Sequence, residues 1–166
     1  MKYVSLRKKF RNNHALLILC VVAVTGLFLW YSRPVVVDHV KLLFNPNAGY
    51  AYELGNKHFS SQRPEYYDID AAEHFFTRSL ALDPGLNGVH HQLARVAFLR
   101  GDFDRALSHI NSQLNIHGDA LPNAYYIRGL IEGFMGDYAN AARDYEIYLT
   151  YNPSNGAAKK DYAWEL

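Results

Sequence analysis

Histidine is the residue type in this sequence best suited to metal binding or acid–base chemistry, and the chain contains eight of them. They are scattered, and only His90 and His91 are adjacent. Neighbouring residues on a helix point about 100° apart, so this pair does not chelate one ion as two histidines four positions apart would. The sole cysteine, Cys20, lies within an apolar segment. The sequence therefore predicts no metal site and no cofactor.

Motifs for nucleophilic catalysis and phosphate binding are also missing from the sequence. It contains no Gly-x-Ser-x-Gly elbow, and neither a Gly-x-x-x-x-Gly-Lys-Ser/Thr loop nor a Gly-x-Gly-x-x-Gly fingerprint. Aspartates occur instead where helices are expected to begin, at Asp68, Asp70, Asp102, Asp104 and Asp137. An aspartate there accepts hydrogen bonds from free amides and complements the helix dipole. We read these residues as helix caps, and we expect no catalytic residues and no enzyme activity.

The elements around these aspartates repeat as helical hairpins. Between Ala124 and Pro153, two short helical patterns flank the turn Gly136-Asp137-Tyr138. Small residues, Gly129 and Ala141, stand where the two helices must approach closely. Large residues are expected to fill the space between the helices, and they are Tyr125, Phe134, Tyr138, Tyr145 and Leu149. Such a hairpin cannot bury its apolar faces alone, so it requires copies of itself.

The copies recur at a fixed period. Ala72 precedes Ala106 by 34 residues, and Ala106 precedes Ala141 by 35 residues. A helix–turn–helix unit with a period of about 34 residues resembles the tetratricopeptide repeat (TPR). The resemblance covers Gly49 to Leu166 and implies an all-α, right-handed α-solenoid of about three helical hairpins. The expected repeats span about 49–86, 87–121 and 122–155, followed by a capping helix at 156–166.

The first repeat and the cap depart from the common pattern. Gly55 precedes Ala72 by 17 residues, whereas the equivalent spacing in the other two repeats is 12. Five extra residues therefore enlarge the loop around Ser60 to Tyr66, either by neutral drift or as a partner contact made by Arg63, Tyr66 and Tyr67. In the cap, Lys159, Lys160 and Asp161 are expected to provide solubility. The sequence ends at Leu166 either as a natural cap or where a longer protein continues.

The N-terminal part of the chain is typical of a membrane anchor. Residues Ala15 to Tyr31 carry no charge, and five basic residues precede them within a basic arm at 1–14. A helix of about 17–25 apolar residues can span the hydrocarbon core, and Phe28, Trp30 and Tyr31 suit the membrane interface. We predict an uncleaved transmembrane signal anchor at 15–32. A cleaved signal peptide is the alternative, but the small residues that cleavage requires are poorly represented.

Charge distribution predicts how this anchor is oriented. Basic residues concentrate before the anchor, so the positive-inside rule places the N-terminus in the cytoplasm. The repeats are then non-cytoplasmic, and we expect them to face the periplasm from a bacterial inner membrane. From Pro34 onward the sequence has 11 basic and 16 acidic residues, the reverse of the balance that nucleic-acid binding favours. A membrane-proximal linker or short helix at 33–48 joins the anchor to the repeats.

The TPR resemblance implies a partner-binding groove lined by the first helix of each repeat. Matched residue by residue, the groove residues are Tyr52, Asn56 and Phe59, then His91, Arg95 and Phe98, then Asn123, Tyr126, Leu130 and Phe134, with Lys160 and Trp164 from the cap. For the three phenylalanines, packing between helices is an equal alternative. The groove is rich in aromatic side chains, which supply much of the energy at binding hot spots. One partner carboxylate near Arg95 or Lys160 is also expected.

Some TPR domains clamp the C-terminal carboxylates of cytosolic chaperones with lysines, asparagines and an arginine. At the corresponding positions only Asn56 matches, while Tyr52, Gln92, Asn123 and Ile127 differ, so the sequence argues against that ligand. The sequence favours a non-enzymatic, membrane-anchored scaffold or assembly factor that binds a protein or peptide partner. The alternatives are a structural subunit of a membrane protein complex and a periplasmic chaperone for exported polypeptides.

Overall fold

The computed structural model describes residues 19–28 and 33–165, and within them all regular secondary structure is helical. Contacts between Cα atoms divide the chain into one unit up to Phe44 and a second unit from Asn45 onward. The prediction of an all-α fold is confirmed for the described residues.

In the first unit, residues 19–28 are helical, and α1 spans Pro34–Phe44 within the predicted linker. Among the described residues, no helix is both long enough and apolar enough to cross a membrane. The predicted basic arm at 1–14 lies outside the described residues, and so do parts of the predicted anchor at 15–32.

The second unit consists of three antiparallel helix pairs and a terminal helix. The pairs are α2 (Ala48–Phe59) with α3 (Ile69–Leu82), α4 (Val89–Leu99) with α5 (Phe103–His117), and α6 (Asn123–Met135) with α7 (Tyr138–Tyr151). A 3₁₀ turn at Gly118–Ala120 leads into α6, and α8 (Gly156–Trp164) packs on α7. Each pair also packs on the next, as TPR hairpins require.

The caps that the sequence predicts are present at the start of each second helix. The side chain of Asp68 accepts hydrogen bonds from the amides of Asp70 and Ala71. Asp102 and Asp137 cap α5 and α7 in the same way. The preceding turn residues, Gly101 and Gly136, adopt φ angles of 73° and 84°, which glycine tolerates better than other residues. Local sequence therefore fixes where these helices begin.

Glycines allow the two helices of a pair to approach closely. A Cβ atom added to Gly129 would lie 2.9 Å from Cε1 of Tyr145 and 3.2 Å from the carbonyl oxygen of Ala141. A Cβ atom added to Gly55 would overlap the ring of Phe76. Both contacts lie where the sequence predicted small residues.

Two aliphatic and aromatic cores link successive hairpins. One contains Ala72, Phe76, Val89, Leu93 and Val96, and the other contains Ala94, Ala97, Ala106, Ile110, Ala124 and Ile131. Each core includes residues of two consecutive hairpins, so no hairpin buries its apolar face without a neighbour. Burial of these side chains is the principal force that holds the array together.

Polar side chains add specific links between neighbouring helices, both within a hairpin and between hairpins. Arg128 on α6 donates from Nη2 to Oδ1 of Asp144 on α7 at 2.8 Å and from Nη1 to Oδ1 of Asn111 on α5 at 3.1 Å. The fully buried Gln113 accepts hydrogen bonds from the amides of Gly88 and His91. A buried polar group requires such partners, so these contacts fix the register of neighbouring helices.

The expectation that Phe134 and Tyr138 fill the space between α6 and α7 is wrong. Their side chains are 67% and 57% exposed. Phe134 lies five residues after Gly129, which rotates it by about 140° around the helix from the face that meets α7. Tyr145 alone of the large residues in this set is nearly fully buried.

Candidate partner-binding surface

The outward sides of α2, α4 and α6 form the surface on which most of the predicted site residues lie, and we call it the first-helix surface. It carries Tyr52, Asn56 and Phe59 on α2, with Arg95 and Phe98 on α4. All five side chains are half-buried. They are held in place by contacts with one another or with the adjacent core.

A row of hydrogen-bonded polar side chains crosses from α2 to α4. Gln92 donates from Nε2 to Oδ1 of Asn56 at 2.7 Å, and Arg95 donates from Nη1 to Oε1 of Gln92 at 2.8 Å. The Arg95 guanidinium also lies over the ring of Phe59, 4.8 Å from its centroid. These contacts hold the cation in one orientation before any partner binds.

The charge of Arg95 has no opposite partner in the part of the chain that the structure describes. Among the described residues, no carboxylate forms an ion pair with it. Burial lowers the pKa of Arg95 from its ordinary value, because desolvation disfavours the charged form. A partly desolvated, preoriented guanidinium is suited to donate hydrogen bonds to a carboxylate of a partner.

An aromatic cluster adjoins this row. The rings of Phe98 and Phe134 lie edge to face with centroids 5.1 Å apart, and Phe103 packs against both. Phe98 and Phe103 are half-buried, whereas Phe134 is exposed. The first two rings therefore support the third on the surface of the protein.

A cavity of about 320 Å³ opens beside Phe134, and we call it the terminal cavity. It is bounded by α6, α7, α8 and the residue after α8. The residues that line it are Leu130, Gly133, Phe134, Tyr138, Tyr145, Asp161, Trp164 and Glu165. The Trp164 side chain is 85% exposed. Three of the predicted groove residues, Leu130, Phe134 and Trp164, thus meet here.

Two other predicted site residues are engaged within the protein. His91 is buried, and burial is the main reason that its pKa falls to about 4. The hydroxyl of Tyr126 donates to Oδ2 of Asp161 at 2.8 Å, and its ring packs on Tyr145 and Tyr148. Burial, together with this hydrogen bond, raises the pKa of Tyr126 to about 12. Both side chains therefore help to position neighbouring helices.

The remaining two predicted site residues lie at the edge of the surface. Asn123 is the first residue of α6, and Lys160 lies on α8; both side chains are exposed. Neither lines the terminal cavity. The structure thus divides the predicted set between the row at Arg95, the cavity at Trp164, and positions apart from both.

The enlarged first loop spans residues 60–68 and is folded back on α2. The carbonyl oxygen of Tyr66 lies 2.9 Å from Nδ1 of His58, and the ammonium of Lys57 lies 4.2 Å from the centroid of the Tyr66 ring. Arg63 and Tyr67 are exposed. Of the three loop residues considered for partner contact, Tyr66 thus has a role within the loop itself.

Groups with the chemistry of a metal site do not assemble in the described part of the chain. No cluster of three or more histidine, cysteine, aspartate or glutamate side chains there could hold a metal ion. Nδ1 atoms of His90 and His109 lie 3.1 Å apart, and burial lowers the pKa of both imidazoles. This pair is explained as a hydrogen bond between two neutral rings.

Comparison with known proteins yields similarity to solved structures alone. No protein-family model matches the chain, and no curated protein matches it. A structure titled as the first TPR of Spaghetti (RPAP3) bound to the HSP90 peptide SRMEEVD is 24% identical, with a TM-score of 0.64, over 72% of this chain and 90% of that chain. At this identity the similarity concerns the fold.

Two further structures support the same fold. The second TPR domain of human RPAP3, in complex with the HSP70 peptide SGPTIEEVD, is 20% identical over 69% of this chain and 91% of that chain, with a TM-score of 0.59. A crystal structure of the MamA protein is 16% identical over 87% of this chain and 74% of that chain, with a TM-score of 0.68. The protein therefore has a TPR-like fold of helical hairpins.

Sequence reasoning missed several residues of the terminal cavity. Asp161 was expected only to aid solubility, and Glu165 and Gly133 were not singled out. Asp161 and Glu165 are four residues apart and so share one face of a helix, which is the signal that could have identified them. The position of that face against α6 depends on packing between distant parts of the chain.

Proposed function

We propose that the protein is a non-enzymatic, membrane-anchored TPR scaffold or assembly factor that holds a protein or peptide partner along the first-helix surface. Two observations carry this proposal: the exposed aromatic side chains of Phe134, Tyr138 and Trp164 line one cavity, and Arg95 is held in one orientation on α4. Clustered exposed aromatic side chains and a well-positioned arginine are both typical of binding surfaces.

The solved structures give a precedent for a peptide ligand. Two TPR domains of this fold, both in RPAP3, carry chaperone peptides according to their titles. In this chain the positions of the known carboxylate clamp hold Tyr52, Gln92, Asn123 and Ile127. The partner we propose is therefore recognised through aromatic contacts together with a carboxylate at Arg95.

The same proposal includes a membrane anchor whose N-terminus lies in the cytoplasm. It is supported by the uncharged segment Ala15–Tyr31, the basic arm before it, and the exposed apolar side chains of the helical residues 19–28. The proposed location of the repeats is the periplasmic face of a bacterial inner membrane. Carbonate extraction of membranes tests anchorage. An anchored protein is expected to remain in the membrane pellet, and its release into the supernatant would contradict anchorage.

Sidedness is tested with a single new thiol. Ser154 lies between α7 and α8 and is exposed, so Ser154→Cys in a Cys20→Ser background places one reactive group on the repeats. A membrane-impermeant maleimide added to intact cells with a permeabilised outer membrane is expected to label it. Labelling only after disruption of the inner membrane would contradict the proposed orientation.

Photo-crosslinking in intact membranes tests partner binding. A benzophenone amino acid replaces Phe134 on the first-helix surface, and the control replaces Ile116, an exposed apolar residue on the second helix α5. One dominant adduct from position 134, absent from position 116, is expected for a dedicated scaffold. Equal adducts from both positions would contradict the proposed surface.

The same experiment separates the two alternative functions. A structural subunit would give one adduct that also co-purifies at a fixed ratio through detergent. A chaperone for exported polypeptides would give many substoichiometric adducts.

A further inference from the structure

We propose that the terminal cavity binds a lysine or arginine side chain of the protein or peptide partner. This inference rests on the proposed function, because it concerns one contact within the same binding surface. It differs from the sequence expectation, in which the only charged contact was a partner carboxylate near Arg95 or Lys160.

The walls of the cavity suit the long side chain of a basic residue. Four aromatic side chains, Phe134, Tyr138, Tyr145 and Trp164, contribute to the lining. Aromatic faces attract ammonium and guanidinium groups through the ring quadrupole, and they also pack against the methylene groups of lysine and arginine. The volume of about 320 Å³ is sufficient for such a side chain.

Two carboxylates supply the charge. Asp161 and Glu165 line the cavity, and none of the described residues that line it is basic. Asp161 is fixed by the hydroxyl of Tyr126, which donates to its Oδ2 at 2.8 Å. Both carboxylates contribute to raising the pKa of the Tyr145 hydroxyl, after burial, which is the largest cause. Tyr145 therefore stays neutral, and the two carboxylates are the only acidic side chains among the described residues that line the cavity.

Glu165 gives the most specific indication of a cationic ligand. Its Oε2 atom is buried and has no hydrogen-bond partner among the described residues. Its Oε1 atom lies against Gly133, where an added Cβ would be 2.7 Å away. A buried carboxylate oxygen without a donor is unfavourable, and rotation of the carboxylate toward the cavity would let a bound ammonium or guanidinium provide that donor. An aliphatic or acidic partner side chain would leave the oxygen unpaired, and a neutral donor would pair it without balancing the charge of the carboxylate.

Binding is tested on the full chain in detergent micelles. The chain contains two tryptophans, Trp30 and Trp164, so labelling with 5-fluorotryptophan gives two ¹⁹F NMR signals. The variant Trp30→Phe assigns them. The probes are blocked alanine pentapeptides with a central arginine, lysine, citrulline or glutamate. Citrulline has the shape of arginine without its charge.

The arginine and lysine peptides are expected to shift the Trp164 signal in a saturable way. Loss of one charge-assisted contact is expected to weaken the citrulline peptide about tenfold, equivalent to about 1.4 kcal/mol. The glutamate peptide should leave the signal unchanged. Equal affinity for arginine and citrulline, or no shift with either basic peptide, would overturn the proposal.

Carboxylate variants locate the charge. Glu165→Gln and Asp161→Asn are each expected to weaken the arginine peptide about tenfold, and raised salt should weaken the parent protein further. The matched control is Glu146→Gln, since Glu146 is an exposed acid on α7 that does not line the cavity. An effect of Glu146→Gln as large as that of Glu165→Gln would show a diffuse charge effect and contradict a specific site.

Crosslinking at position 134 separates failure of this inference from failure of the proposed function. If the dominant adduct persists while arginine peptides do not bind, the scaffold function stands and the basic-residue site is wrong. If the adduct is absent and the peptides still bind, the cavity recognises a basic group but the proposed partner surface is wrong.

Discussion

Two aromatic clusters in the array have opposite environments. In the first hairpin, Phe76 is fully buried, with Tyr52 and Phe59 packed around it at centroid distances of 5.8 and 6.1 Å. In the third hairpin, Phe134 packs on Phe98 and Phe103 and still exposes 67% of its side chain. The same residue type thus contributes to folding in one cluster and remains accessible in the other.

This difference separates a cluster that stabilises the fold from the cluster that we propose binds a partner. Polar groups follow the same division. In the first loop, Nδ1 of His58 lies within hydrogen-bonding distance of the Tyr66 carbonyl oxygen, while Glu165 at the other end has a buried oxygen without a partner among the described residues. Variants that treat the two clusters identically should therefore have unequal effects, and the predictions below compare them.

The largest expected effect is that of Phe76→Ala. Removal of a fully buried phenylalanine side chain costs about 3–5 kcal/mol of unfolding free energy, whereas Phe134→Ala should cost less than about 1 kcal/mol, as an exposed substitution does. Urea denaturation followed by circular dichroism measures both. Comparable losses for the two variants would contradict the division between the clusters.

Acidification should destabilise the second hairpin through His91. Burial lowers the pKa of His91 from 6.5 to about 4. Between pH 6.5 and pH 4, His91 is protonated in the unfolded chain but not in the folded chain. The unfolding free energy therefore has its full value above pH 6.5 and falls as the pH decreases. Over that range the loss is roughly 3 kcal/mol. His90 and His109, whose pKa values are also lowered, act in the same direction.

The third hairpin should respond with the opposite sign. Burial is the largest cause that raises the pKa of Glu132 from 4.5 to about 7. The folded chain therefore retains a proton that the unfolded chain loses, and this contribution to stability disappears as the pH rises from 4.5 to 7. Native-state hydrogen exchange at pH 7 and pH 5 resolves the two hairpins. His91→Gln should reduce the loss of protection in α4 at pH 5 to the part that His90 and His109 cause, and His74→Gln, at an exposed position, should leave that loss unchanged.

Glycine-to-alanine substitutions give a smaller contrast. In Gly55→Ala, the new Cβ would overlap the buried ring of Phe76, and such overpacking costs about 1–3 kcal/mol. In Gly133→Ala, the new Cβ meets the end of the Glu165 side chain, which can move. The alanine should leave stability unchanged or raise it by up to about 1 kcal/mol through helix propensity.

The binding readout distinguishes these glycine variants further. Gly133→Ala displaces the Glu165 carboxylate, so it should weaken the arginine peptide in the ¹⁹F NMR titration. Gly55→Ala should leave that affinity unchanged under conditions in which the protein is folded. Unaltered peptide binding by Gly133→Ala would argue against a role for Glu165.

The residues that sequence predicts well are those whose structure is determined locally. Gly101 and Gly136 adopt positive φ angles, and Asp68, Asp102 and Asp137 cap the helices that follow them. A turn and a cap depend on a few consecutive residues, so the period of the array was recognisable from their spacing.

Residues whose roles depend on distant partners were harder to predict. Tyr126 and Asp161 are hydrogen-bonded although 35 residues separate them in the chain. His91 becomes buried where α4 meets α5, and Gln113 on α5 accepts a hydrogen bond from its amide. Helical periodicity gives the face on which a residue lies, but not the depth at which a neighbouring hairpin covers it. The helix faces of the candidate surface were therefore predictable from the sequence, while the depth of burial and the acidic cavity were not.

The smallest expected effect is that of Asp70→Asn. Asp70 is a largely exposed partner of Arg100, and Glu73 also pairs with Arg100, at 2.9 Å. Exposed ion pairs contribute little because water screens them, and Arg100 retains its second partner, so the loss in unfolding free energy should stay below about 1 kcal/mol.

Glu73→Gln is the informative comparison for that variant. Glu73 is less exposed than Asp70. It pairs with Arg100, which directly follows α4, at 2.9 Å and with Arg105 on α5 at 2.8 Å. Its neutralisation removes two contacts between the first and second hairpins and should therefore cost more than Asp70→Asn in the same denaturation assay. A larger effect of Asp70→Asn would mean that the more exposed charge contributes more to this contact than the less exposed one. It would then also weaken the argument that burial determines the unequal effects of Phe76→Ala and Phe134→Ala.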